Sequence, residues 1–177
     1  MGLVAMLGSL LLQPALAYYT TFGTATNVVT SGNITLKINE MTEQGTEYPK
    51  EGIYVIPGDI ISKVVTVENV CEHPFYLRVK LVYGADMEEL QVEDCLKLNI
   101  NSENWKIHNG WYYYTGILQP GEETPHIFSH VEIVGSQVNT SHIGKTLQLQ
   151  VLAQAVQSEN NPIQNDDTTT AQGWPEE

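Results

Sequence analysis

The stretch "LQLQVLAQA" (Leu147–Ala155) sets the fold class. Leu147, Leu149, Val151, Ala153 and Ala155 recur at every second position, against Gln148, Gln150 and Gln154. Period two is the repeat of a strand, whose successive side chains point to opposite faces. A helix would need its apolar residues three and four apart. This longest run therefore predicts a strand with one face buried.

The same alternation recurs outward from it. Ile34, Leu36 and Ile38 alternate with Thr35 and Lys37; Val65 and Val67 with Thr66 and Glu68; Leu77, Val79 and Leu81 with Arg78 and Lys80. Shorter strands are expected at 53–56, 96–100, 111–115 and 127–134. Turn signals separate them: Pro57-Gly58-Asp59, His73-Pro74, Asn109-Gly110 and Pro120-Gly121. Asn109-Gly110 before Trp111 predicts a tight hairpin. Only residues 86–95, with Met87, Leu90 and Gln91 on one face, read as helical. The expected fold is all-β, an antiparallel β-sandwich, jelly-roll-like, with one short helix. From Ser158 the chain turns polar ("SENNPIQNDDTTTAQGWPEE"), which predicts a loose C-terminal tail over 158–177, with Trp174 able to dock back.

At the other end, Leu3 to Leu12 is apolar and breaks at Gln13-Pro14. About ten residues is half of what a helix needs to cross a bilayer. Ala15 and Ala17 then stand at the −3 and −1 positions of a signal-peptidase site, so cleavage is expected between Ala17 and Tyr18. No Lys or Arg precedes the run; the first charged residue is Lys37. The alternative for this run is a buried segment of the domain core. The expected organisation is a signal peptide over 1–17, a sandwich over 18–157 and the tail. Membrane attachment is expected only through the uncleaved signal peptide, and the mature chain is expected to be secreted.

Eight basic and 21 acidic residues give a net charge of −13. Nucleic acids and anionic membranes both require basic patches, so neither is an expected partner. Cys71 and Cys95 are the two cysteines. In an exported chain they could pair, and the closed loop would contribute about 3 kcal/mol. The alternative is two unpaired, buried thiols.

Catalytic motifs are sparse. His126 and His130 stand four apart, but Ile-Phe-Ser lies between them and the glutamate of His-Glu-x-x-His is missing. On a strand they would lie roughly 13 Å apart. No catalytic residue, metal ligand or cofactor is assigned. Trp105 and Trp111 to Tyr114 form an aromatic cluster. Exposed aromatics could stack on sugar rings, which leaves a carbohydrate-binding module as one reading. The other is that alternate members pack the core.

Several segments, in order, resemble a known family. Ala17-Tyr18-Tyr19-Thr20, Thr24-Ala25-Thr26-Asn27 and Gly32-Asn33-Ile34 are similar to the export and N-terminal region of the TasA/camelysin family of secreted bacterial proteins. "VIPGDIISKVVTVEN" resembles the family's Pro-Gly-Asp strand motif, and "GWYYYTGILQPGEET" and "AQAVQSEN" resemble later segments. The resemblance covers most of residues 15–160. It implies a jelly-roll subunit of biofilm-matrix fibres, in which the N-terminal segment of one subunit adds as a strand to the next. The implied partners are the protein itself and accessory matrix proteins or polysaccharide. The camelysin branch implies a secreted or surface metalloprotease as the alternative.

Within that reading, Tyr18 to Thr30 is the expected donor strand. It is uncharged in a strongly acidic chain. Tyr18, Tyr19, Thr20, Phe22, Thr24, Ala25, Thr26, Val28 and Val29 are its named members, rich in strand-forming types.

Overall fold

The computed structural model describes residues 20–30, 34–85 and 92–176. Ten strands carry the chain: β1 (Thr20–Thr30), β2 (Leu36–Met41), β3 (Ile53–Val55), β4 (Ile60–Asn69), β5 (Phe75–Ala85), β6 (Leu96–Leu98), β7 (Trp105–His108), β8 (Trp111–Tyr114), β9 (Phe128–Ile133) and β10 (Thr146–Gln157). One short helix, α1, spans Val92–Cys95. They form a six-stranded sheet, order β3-β1-β10-β5-β8-β7, and a four-stranded sheet, order β2-β4-β9-β6. The molecule is an all-β sandwich.

The alternating residues do what their period dictates. Leu147, Leu149, Val151, Ala153 and Ala155 of β10 are fully buried, as are Leu77 and Val79 of β5. They share one core with Val65 and Val67 of β4 and with Phe128, Val131 and Ile133 of β9. Asn109 and Gly110 both take positive φ, 49° and 78°, and close the β7–β8 hairpin. Positive φ at both central residues gives a turn whose twist matches that of the strands it joins.

Two expectations need correction. The pairing is not antiparallel throughout, because β1 runs parallel to β10 from Thr21↔Thr146 to Thr30↔Ala155. Period two fixes which face is buried but says nothing about strand direction. The expected helix 86–95 is not among these corrections: residues 86–91 lie outside the described residues, and 92–95 form α1.

The second correction concerns the tail. Asp167 pairs with Lys106 at 2.8 Å, and the Thr168 hydroxyl donates to the Tyr114 carbonyl at 2.8 Å. Ala171 is buried with Tyr76 and Val156, and Ile163 and Trp174 pack against them. A few apolar contacts and one ion pair thus turn a polar sequence into a strap across the outer face of the large sheet. The predicted signal peptide, with Ala15 and Ala17, lies outside the described residues, as do Tyr18 and Tyr19.

Candidate functional site

Of the predicted donor segment Tyr18 to Thr30, the described part, Thr20–Thr30, is β1, and it is seated in its own chain. On one side it is paired with β10 over ten residues. On the other it pairs antiparallel with β3, through Thr20↔Val55, Thr21↔Tyr54 and Phe22↔Ile53. Beyond Phe22, β1 is held by the β10 ladder alone among the described strands, and Val28 is 40% exposed. Among the described strands, β3 touches β1 alone in the sheet order. Without β1, β3 would lose its partner and β10 would present an open edge of N–H and C=O groups.

Phe22 anchors this strand. It is fully buried, opposite Leu147 of β10, and burial of a phenylalanine ring contributes about 1.5–3 kcal/mol. Its ring meets Tyr48 edge-on, centroids 6.5 Å apart. Tyr48 lies in the loop after β2, where its amide donates to the Glu40 carbonyl at 3.0 Å. Its ring carries the Lys63 ammonium 3.9 Å from the centroid. Lys63 is fully buried, beside an irregularity in the pairing of β4 with β9 between Ser62 and Val65, and it pairs with Glu40 at 2.9 Å. Burial pulls the Lys63 amine below its ordinary range, and Glu40 opposes that shift. Burial pushes the Tyr48 phenol up, and Glu40 adds to this. A groove of about 630 Å³ opens beside the cluster, lined by Lys37, Asn39, Glu40, Tyr48, Lys50 and Glu123, among others.

Of the two readings left open for the cysteines, the structure holds the unpaired one, with Cys71 half-buried and Cys95 buried. The Cys71 thiol, after β4, donates to the His73 carbonyl at 3.3 Å. Cys95, at the end of α1, lies 3.5 Å from His142 Nε2. Each thiol is taken up by its own local contact. His142 Nδ1 in turn lies 3.2 Å from the Asn139 amide nitrogen and 3.3 Å from the Asn139 side-chain oxygen. Cys95 and His142 are both buried, and burial, then Asp94, pushes the thiol up, away from the reactive thiolate.

His126 precedes β9, and its carbonyl accepts from Asn101 at 3.2 Å; His130 lies within β9 beside Ser129. Among the described residues, no group of three His, Cys, Asp or Glu is placed to hold a metal ion.

The aromatic cluster divides by strand alternation. Trp105, Tyr112 and Tyr114 turn to the main core, whereas Trp111 and Tyr113 face the strap. There Arg78 is stacked on Trp111 at 4.1 Å and on Trp174 at 4.6 Å. Its guanidinium donates to Gln154 Oε1 at 2.9 and 2.6 Å and to the Tyr113 hydroxyl at 3.1 Å. The outward aromatics are therefore covered by the chain's own C-terminal segment.

The Glu40–Tyr48–Lys63 cluster and the Arg78 stack were not picked out from the sequence. Lys63 did leave a signal, since it takes an inward position in the alternation Ile61, Lys63, Val65, Val67. Comparison of the chain with models of known protein families, with curated proteins and with solved structures found no match.

Proposed function

We propose that the chain is a secreted structural subunit of extracellular matrix fibres, assembling head to tail by exchange of β1. The observation that carries this reading is the placement of β1 between β3 and β10, as the one strand that links them. Cleavage after Ala17 would free the N-terminal end of this segment. β1 of one copy can then enter the same slot of another and remake the same ladder pairs. Each exchange leaves one empty slot and one free donor, so the contact is head-to-tail and does not close. Because the bonds lost and gained are identical, concentration decides between the closed monomer and the chain of copies.

Support also comes from the uncharged composition of Tyr18 to Thr30 and from the resemblance of that region to secreted matrix proteins. The strong negative charge suits a surface that repels neighbours except where strands join.

The test is the state of the chain from Tyr18 onward. Gel filtration and electron microscopy across a concentration series should show filaments that grow with concentration. Deleting residues 18–27 should abolish them. A chain that stays monomeric at high concentration, or filaments that form equally well after the deletion, would overturn the proposal.

A further inference from the structure

We infer that Phe22 sets the register and the partner choice of this exchange. The slot selects a second copy of this chain by an aromatic ring at the third position of an uncharged strand. The inference rests on the strand-exchange reading and adds a specificity-determining residue to it.

Among the described β1 side chains Phe22 is fully buried, with Leu147 opposite on β10 and Ile53 opposite on β3. Backbone pairing alone does not fix register, since any uncharged strand could form the same ladder at several offsets. A slip of one residue would turn the ring to the other face of the sheet. A slip of two would bring Thr20 or Thr24 to the position opposite Leu147, with less apolar volume and a hydroxyl to satisfy.

The floor of the site sharpens the selection. Phe22 lies edge-on to Tyr48, which is 6% exposed and whose hydroxyl has no hydrogen-bond partner among the described residues. Behind Tyr48 lies the buried Lys63–Glu40 pair. A small side chain would leave the ring of Tyr48 uncovered and admit water toward a desolvated ion pair. A charged side chain would enter apolar surroundings already holding two charges. An aromatic ring meets both demands, by filling the volume and by offering an edge-to-face contact.

Peptides in trans give the test. Peptides of residues 20–30, with Phe22 retained or with Phe22→Ala, are added to the chain from Tyr18 onward during assembly. Filament length and peptide retention after gel filtration are read. The parent peptide should cap open slots, shorten filaments and be retained. The Phe22→Ala peptide should need at least tenfold more to do so, and a Phe22→Leu peptide should fall between them. Equal potency of the parent and Phe22→Ala peptides, with filaments still forming, overturns the role of Phe22 and leaves exchange standing. A chain that forms no filaments and retains neither peptide overturns both.

Discussion

Trp174 stacks on the Arg78 guanidinium, which lies 4.6 Å from its ring centroid, and meets Tyr113 edge-on at 5.5 Å, so that its ring covers the outer face of the large sheet. Trp174→Ala should lower stability by about 1–2 kcal/mol, from the lost cation–π contact and lost cover. Denaturant unfolding measures the loss. Red-shifted tryptophan fluorescence in the folded variant would report Trp111 opened to water.

The strap should also respond to acid. Hydrogen bonds from Lys106 and then Thr169 hold the Asp167 carboxyl down at about 2, against an ordinary value of 3.8. The folded value is the depressed one. Its contribution is therefore full above 3.8 and is lost as pH falls through about 2. Thermal unfolding from pH 5 to 2 should show a larger acid loss in the parent than in Asp167→Asn. Parallel curves would contradict the assignment.

Lys63 and Glu40 should behave as a unit. Lys63→Met alone leaves a partly buried carboxylate without its ammonium and should cost about 3–5 kcal/mol. Lys63→Met combined with Glu40→Leu removes both charges and should be near neutral or stabilising. A double-mutant cycle by urea unfolding checks this, and additive losses would count against the pairing.

The thiols should be independent. Mass spectrometry of the folded, unreduced protein should find two free cysteines. Cys71, half-buried, should be alkylated first, and Cys95, buried with its thiol pushed up, should react only on unfolding. A mass lower by two hydrogens would show a disulfide instead.

The sequence carried the faces of the strands further than their neighbours. Leu147 to Ala155 read as one buried face because period two is a local property, and the Asn109-Gly110 turn was legible because positive φ favours those two residues. The parallel seating of β1 on β10 was not legible. It joins residues more than a hundred positions apart, and no local signal encodes direction. Lys63 could be read as facing inward, but its partners come from β2 and the loop after it. The tail misled through composition, since Ala171, Ile163 and Trp174 supply the contacts that its polar majority conceals.

The most direct measurement of β1 exchange uses the register pair Val28↔Ala153. Two variants of the chain from Tyr18 onward, one Val28→Cys and one Ala153→Cys, both lacking Cys71 and Cys95, are mixed under assembly conditions and then oxidised. Exchange predicts disulfides joining the two variants, because β1 of one copy lies on β10 of the other. If the mixture yields no cross-linked copies, while the doubly substituted single chain closes its own disulfide, β1 stays at home and the account of assembly is wrong.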